Sequence, residues 1–264
     1  MRVVSVIAAK GGVGKTTVTA NLCIALAASG RPVLAIDLDP QNALRFHLAA
    51  DLRAGDAAGL VDAERGACSW TQAMQRGHHG VVLLPFGAID DEAQIDLEGR
   101  LAAQPHWLAD TLASFRLPDD SFVLLDTPPG PSVYLQQALR VSQLNVVTLL
   151  PDAGSFATLP IVERMVDKYC RPRADFIAST HVINQADASR RLNRDVLQTL
   201  RDELGPQLLG VVQQDQAVSE ALASATTVRH YAPHSQAVDD FAHCADRLLA
   251  HFAAAPVAGT HLYR

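Results

Sequence analysis

The sequence predicts an α/β fold in which a mostly parallel, twisted sheet carries helices on both faces. Short runs of apolar, largely β-branched residues recur along the chain, which is typical of strands buried on both faces. Longer segments with apolar residues at helical spacing separate these runs, so that strands and helices alternate. Glycines or carboxylates follow several of the runs, at the edge of an α/β sheet where ligands bind.

Length and composition fit one such domain, and we expect residues 1–264 to form it. Of the 264 residues 48% are hydrophobic, which is enough for one large core. The net charge of −6 argues against a surface that holds DNA by bulk electrostatics. The four cysteines include no CxxC pair, which is typical of reduced thiols. Since neither a secretion signal nor an apolar run of about 18 residues is evident, we expect a soluble, cytoplasmic protein without a transmembrane segment.

The first predicted strand, residues 3–8, leads into a glycine-rich loop and then into a helix from Thr17 onward. Glycines in such a loop let backbone N–H groups turn inward onto phosphate oxygens at a helix N-terminus. Lys15 can reach the β- and γ-phosphates, and the Thr16 hydroxyl can ligate Mg²⁺. We therefore predict a P-loop NTPase that binds its nucleotide through the following residues: Gly11, Gly12, Val13, Gly14, Lys15, Thr16 and Thr17.

The distribution of lysine supports a phosphate site in this loop. The chain has three lysines against nineteen arginines, and two of the three, Lys10 and Lys15, lie in the loop. The third is Lys168. The chain therefore carries most of its compact and flexible ammonium groups in the loop where phosphates are expected.

A second predicted strand, residues 33–36, delivers Asp37 and Asp39 on the same side of the chain. Beside a magnesium nucleotide, one of these carboxylates can hold a metal-bound water and the other can orient the attacking water. Helix capping and turn formation are the alternative roles for the pair. A DxD pattern alone is common in turns. We favour the roles beside the nucleotide because the predicted phosphate loop is next to this strand.

A third strand, residues 122–125, ends in Asp126. Four apolar residues followed by aspartate, after a P-loop, are typical of a Walker B strand, whose carboxylate holds Mg²⁺. The next residues, 127–130, are expected to form the switch segment that senses the γ-phosphate. We therefore predict a magnesium site at Thr16 and Asp126, together with one of the two carboxylates Asp37 and Asp39.

The loop departs from the plain P-loop at two positions, because Ala9 replaces the first glycine and Lys10 precedes Gly11. In this it resembles the deviant Walker A motif of the ParA/MinD (SIMIBI) family, whose motif order the whole chain follows. The resemblance implies an ATPase with ATP and Mg²⁺ as cofactors. It also implies a homodimer in which Lys10 crosses the interface to the nucleotide of the other subunit.

The same resemblance assigns roles to single residues. It places Asp37 in the Mg²⁺ shell and makes Asp39 the residue that positions the attacking water. It implies that Asn184, at the end of a predicted strand, contacts the adenine ring. Asp215 is expected on the adenine side as well, although Gln213 replaces the proline that the family usually has nearby.

The remaining elements continue the alternation of strands and helices. Predicted strands are residues 81–84, 145–150, 176–183 and 208–212. Predicted helices are residues 70–75, 90–115 with a break near Pro105, 156–169, 187–204 and 237–252. The core face of the 187–204 helix is expected at Leu192, Val196, Leu200 and Leu204, and the last helix is expected to pack on the core rather than to anchor in a membrane.

Three arginines of the 187–204 helix, Arg190, Arg194 and Arg201, fall on another face. They could bind DNA phosphates or an acidic partner. Because acidic residues interleave with them, we favour a solvated face.

Three less specific sequence segments indicate one branch of the family. The segments LLPFG at 83–87, PHW at 105–107 and QQD at 213–215 resemble the cellulose-biosynthesis ATPases (BcsQ). This resemblance implies a slow, dimeric ATPase that binds small regulatory subunits of a cellulose secretion system. Through them it would support the inner-membrane synthase and be recruited to the membrane or cell pole. The alternatives are a DNA-partition ATPase, a metal-cluster ATPase, for which paired cysteines are missing, and a pseudo-ATPase scaffold.

Overall fold

The structure, a computed structural model, describes residues 1–49 and 58–255. Within them, eight strands form one sheet in the order β3-β4-β2-β5-β1-β6-β7-β8. The strands are β1 Arg2–Ile7, β2 Val33–Asp37, β3 Gln75–Arg76, β4 Val82–Leu84, β5 Phe122–Asp126, β6 Leu144–Leu149, β7 Ala178–Ala186 and β8 Leu208–Gln213. All neighbours pair in parallel except β3 and β4. The predicted mostly parallel sheet is confirmed.

Helices cover both faces of this sheet. They are α1 Lys15–Ala28, α2 Arg45–Leu48, α3 Leu60–Glu64, α4 Trp70–Ala73, α5 Asp91–Ala103, α6 Trp107–Ser114, α7 Val133–Val141, α8 Ala153–Tyr169, α9 Arg191–Leu204, α10 Gln216–Ala223, α11 Val228–Tyr231 and α12 Gln236–Ala254. Helices α1 and α12 pack on one face. Helices α5 to α9 pack on the other, in two clusters. Short 3₁₀ turns span His78–Gly80 and Gly205–Gln207.

The central strands position the candidate site. Every residue of β2 and β5 is buried, as expected for parallel strands with helices on both faces. The two strands pair in register so that Asp37 lies opposite Asp126, and Asp126 also lies opposite Val6 of β1. The glycine-rich loop that follows β1 therefore starts beside two carboxylates at the carboxyl edge of the sheet.

Several boundaries differ from those predicted. Helix α9 begins at Arg191 rather than at residue 187, because the Asp187 side chain accepts hydrogen bonds from the Ser189 N–H and hydroxyl, which form a turn. Leu192, in the first turn of α9, is 76% exposed, so its assignment to the core face was wrong, and Leu197 is buried instead.

Two further elements are longer than predicted. Helix α8 starts at Ala153, since Asp152 caps its first turn. Strand β7 continues through an irregular register to Ala186, so that Asn184 lies inside the strand rather than after it. Between residues 58 and 80, the predicted helix shortens to α4, and α3 and the antiparallel β3 are additions.

No helix in the described part of the chain combines the length and the apolarity that crossing a membrane requires. The last helix, α12, packs on the core as predicted, with Val238, Phe241 and Leu248 buried. All four cysteines are free thiols.

His181 of β7 is a buried histidine, and burial lowers its pKa from 6.5 to about 4. Because the folded pKa lies below the unfolded one, its contribution to stability is complete above about pH 6.5 and is lost as the pH falls toward 4. We expect His181→Gln to reduce the acid-side loss in the free energy of unfolding by up to about 3 kcal/mol at pH 4. Urea unfolding over a pH series measures this, with the exposed His106→Gln as control. An identical pH dependence for His181→Gln and wild type would contradict it.

Candidate nucleotide-binding site

The loop between β1 and α1 has a backbone that only glycine adopts readily. Gly12 and Gly14 have φ angles of +76° and +82°, in the left-handed region. Gly14 also lies directly against β7, where an added Cβ would overlap the Asn184 side-chain amide. The Asn184 Nδ2 donates to the Val13 carbonyl at 2.9 Å, so the loop is tied to β7.

Gly14→Ala is therefore expected to cost more stability than an alanine at another left-handed glycine. Gly30, with φ of +81° and open space around its Cα, is the matched control. We expect Gly30→Ala to cost about 1 kcal/mol through backbone strain alone, and Gly14→Ala about 1–3 kcal/mol more through overlap with Asn184. Urea unfolding of both variants measures the difference. Equal losses would show that the loop and β7 separate freely.

Asp126 gathers three side chains of the loop and of α1. Lys15 Nζ lies 3.0 Å from Asp126 Oδ1. The Thr16 hydroxyl donates to Oδ2 at 2.7 Å, and the Thr19 hydroxyl donates to Oδ1 at 2.9 Å. Lys15 is 6% exposed and Asp126 is fully buried, so the lysine is held at the end of β5.

Asp37 completes a pair of neighbouring carboxylates. It is fully buried, and the N–H groups of Asp39 and Leu44 donate to it at 2.9 and 3.0 Å. Burial and the negative charge of Asp126 raise the pKa of Asp37 well above its usual value. Two carboxylates and the Thr16 hydroxyl provide hard oxygen ligands, the donor set that Mg²⁺ prefers. These residues fit the predicted magnesium site.

Asp39 keeps one carboxylate oxygen available. Its Oδ1 accepts the Gln41 N–H at 3.0 Å, whereas Oδ2 has no hydrogen bond to any described residue. The side chain is 8% exposed. An oxygen in this position can accept a hydrogen bond from a water molecule beside the phosphates.

Lys10, the other lysine of the loop, lies at the edge of the site and pairs with a residue other than Asp126. Its Nζ pairs with Asp152 Oδ2 at 2.9 Å, and the side chains are 43% and 39% exposed. Asp152 also caps α8 by accepting the Ser155 N–H at 2.6 Å. Partial burial raises the pKa of Asp152, but the hydrogen bonds from Ser155 and Lys10 outweigh it and hold the pKa below its usual value.

The residues expected to sense the γ-phosphate, 127–130, lie against the loop. The Thr127 hydroxyl donates to the Val6 carbonyl at 2.9 Å, and the Gly130 N–H donates to the Ala8 carbonyl at 3.0 Å. Thr127 is fully buried, so its hydroxyl serves to attach the segment to β1.

A cavity of about 490 Å³ adjoins the loop between β7, β8 and α10. The lining includes Asn184 and Asp215, the two residues expected beside the adenine base, and Thr17, at the start of α1. The structure therefore brings these residues together next to the loop. Each Asp215 oxygen already accepts a backbone N–H, from Ala217 at 2.9 Å and from Ala237 at 3.3 Å. Asp215 thus joins the start of α10 to the start of α12 at the wall of this cavity.

The family of the chain follows from its similarity to known proteins. Residues 1–249 match the family model described as "Cellulose biosynthesis protein BcsQ". The chain belongs to the BcsQ family.

This BcsQ family member is similar to proteins with several different names. A cellulose biosynthesis protein BcsQ from Salmonella typhi is 28% identical over 92% of both chains. The chromosome partitioning protein ParA from Caulobacter vibrioides is 29% identical over 84% of both chains. The septum site-determining protein MinD from Pyrococcus horikoshii, solved with Mg-ADP, is 25% identical, has a TM-score of 0.74 and matches 97% of this chain and 99% of its own. The predicted resemblance to ParA/MinD ATPases is confirmed, as is their P-loop fold.

Three residues of this BcsQ-family site escaped the sequence analysis. Thr19 lies four residues after Lys15 on α1, a spacing that places both side chains on one face. Asp152 could have been found as a helix cap, because Ser155 follows it by three residues. Gln185 has a φ of +55° and lines the cavity beside Asn184, but no sequence pattern predicts this left-handed residue.

Proposed function

We propose that the chain is a switch that dimerises when it binds Mg-ATP and that hydrolyses ATP slowly, and that it regulates or assembles a bacterial cellulose secretion system. The observation that carries the proposal is the different placement of the two loop lysines. Lys15 is buried on Asp126, within its own site, whereas Lys10 is exposed at the edge of the site and, among the described residues, has Asp152 as its ion-pair partner. A lysine in this position is available to a second subunit.

Within one subunit, each group has a distinct part in the proposed reaction. The loop backbone and Lys15 bind the phosphates, while Thr16, Asp37 and Asp126 hold Mg²⁺. When bound, Mg²⁺ neutralises charge on the β- and γ-phosphates. Asp39 orients the attacking water through its available Oδ2. Asn184 and Asp215 stand on the side of the adenine base.

Dimerisation follows from a competition for Lys10. Its ion pair with Asp152 is solvent-exposed, and such pairs contribute only about 0–1 kcal/mol. The γ-phosphate of a facing subunit offers more negative charge in a more enclosed place, so Lys10 exchanges partners when ATP is bound. Because ATP then binds the dimer more tightly than the monomer, it shifts the population toward the dimer. Loss of the γ-phosphate on hydrolysis removes this bridge.

The cellulose role rests on family membership and on the named relatives. Its partners would be small regulatory subunits and, through them, the inner-membrane synthase, with the chain in the cytoplasm. The test is deletion of this gene in a cellulose-producing strain, with dye-binding cellulose measured after complementation. We expect the wild type to restore cellulose and Lys15→Ala not to. Full cellulose in the deletion strain would contradict the role.

DNA partition is the second candidate, because the Caulobacter relative is a partitioning protein. The arginines of α9 give it little support, since Arg190 pairs with Asp187 at 3.1 Å and Arg194 donates to the Ala188 carbonyl at 2.8 Å. Partition would require ATP-dependent and salt-sensitive binding to DNA of any sequence. A gel-shift titration with and without ATP separates the two candidates, and phosphate release separates either from a pseudo-ATPase scaffold.

A further inference from the structure

A groove of about 280 Å³ lies between α7 and α8, and no described residue of the phosphate loop lines it. Its apolar lining comes from Leu135 and Leu139 of α7 and from Ile161 and Met165 of α8. Ile161 is 36% exposed, although it is a large aliphatic side chain. The groove is therefore a concave apolar surface of a kind that helices of partner proteins fill.

Cations surround this apolar surface. Arg164 and Lys168 line the groove. The Tyr169 ring contacts two cations: Lys168, whose Nζ is 4.9 Å from the ring centroid, and Arg140, whose Cζ is 5.1 Å from it. Among the described residues, none of the three cationic side chains has a carboxylate partner.

The acidic residues of α8 do not pair with the cations beside this groove. Asp167 pairs with Arg171 at 2.7 Å, and Glu163 lines a different cavity that also includes His181. The chain has a net charge of −6, so three cations without a carboxylate partner among the described residues, beside the exposed Ile161, make this surface a local exception. Such a surface is complementary to an acidic ligand.

We propose that the α7–α8 groove docks an acidic, amphipathic helix of a partner protein. Apolar side chains of that helix fill the space above Leu135 and Ile161, and its carboxylates pair with Arg164 and Lys168. A protein helix fits better than an anionic membrane, because the apolar side chains line a groove between helices and a flat bilayer surface reaches protruding side chains instead.

Both walls of the groove begin at the nucleotide site. Ser132, which lines the groove, caps α7 by accepting the Leu135 N–H at 3.1 Å and follows directly on residues 127–131. Asp152, the partner of Lys10, caps the start of α8. The docked helix would thus respond to the nucleotide state. This coupling rests on the proposed function, whereas docking itself does not.

The test selects short helical peptides from a randomised display library on the full-length protein. We expect the selected peptides to carry Asp or Glu beside apolar residues at i, i+3 and i+4. Their affinity should fall at least about tenfold for Arg164→Glu/Lys168→Glu and for Ile161→Ser. The charge-matched control Arg191→Glu/Arg201→Glu, on α9, should retain it. Raised salt should weaken binding to the wild type.

Peptides without acidic bias, or equal affinity for the groove variants and the control, would overturn the proposal. The proposal would also be overturned by a third result. In it, the wild type selects no peptide but binds phosphatidylcholine–phosphatidylglycerol vesicles, and Arg164→Glu/Lys168→Glu loses this vesicle binding. A fluorescent ATP analogue is titrated into the same proteins. Peptide binding without ATP binding would refute the proposed function and leave the docking proposal intact.

Discussion

Lys15→Ala is expected to weaken ATP binding at least about 100-fold and to abolish measurable hydrolysis. The Lys15 ammonium group is buried beside Asp126, at the point where the glycine loop meets α1, so no solvent ion can easily replace it. Its removal also leaves the Asp126 carboxylate with hydroxyl partners only, from Thr16 and Thr19. Titration with a fluorescent ATP analogue and an assay of phosphate release measure the two effects.

Lys168→Ala is the matched control for this prediction. Lys168 lies on α8 against the Tyr169 ring, and its removal deletes the same charge away from the phosphate loop. We expect Lys168→Ala to bind ATP as tightly as the wild type does. If Lys15→Ala binds ATP as tightly as Lys168→Ala, the phosphate site is assigned to the wrong loop.

Asp39→Asn is expected to separate binding from hydrolysis. The change preserves shape and removes the negative charge that orients the attacking water, so turnover should fall about 10²- to 10⁴-fold. ATP affinity should change little, because Lys15 and Asp126 are untouched. The ATP-bound dimer should consequently persist after the wild-type dimer has dissociated. Phosphate release and a time course of molecular mass measure both effects.

Asp119→Asn, in the exposed loop before β5, is the control for removing one carboxylate. It should behave as wild type. The assignment of Asp39 is wrong if Asp39→Asn releases phosphate at the wild-type rate. It is also wrong if ATP affinity falls in proportion to turnover, since Asp39 would then act in binding.

The part of the site that follows strand ends could be predicted from the sequence. Buried parallel strands have long apolar runs, and their carboxyl ends meet at one edge of the sheet. The positions of Lys15, Asp37 and Asp126 follow from this rule, because each stands directly after such a run or its loop. The register that places Asp37 opposite Asp126 agrees with it.

Features that depend on contacts between distant segments could not be predicted. Asp152 is 142 residues from Lys10, and only the folded chain brings the two together. Leu192 has the i+4 spacing of a core residue, but on a helix of 3.6 residues per turn such a row drifts around the axis, and Leu192 is exposed. Periodicity gives the face of a helix, whereas its start depends on local side-chain hydrogen bonds.

Light scattering gives the molecular mass of the wild type and of Lys10→Ala with ATP, with ADP and without nucleotide, and it tests directly whether Lys10 bridges two subunits. We expect only the wild type with ATP to be dimeric, and Lys10→Ala to stay monomeric while still binding ATP. If mass is independent of nucleotide and Lys10→Ala behaves as wild type, Lys10 does not bridge two subunits and the chain is a constitutive scaffold.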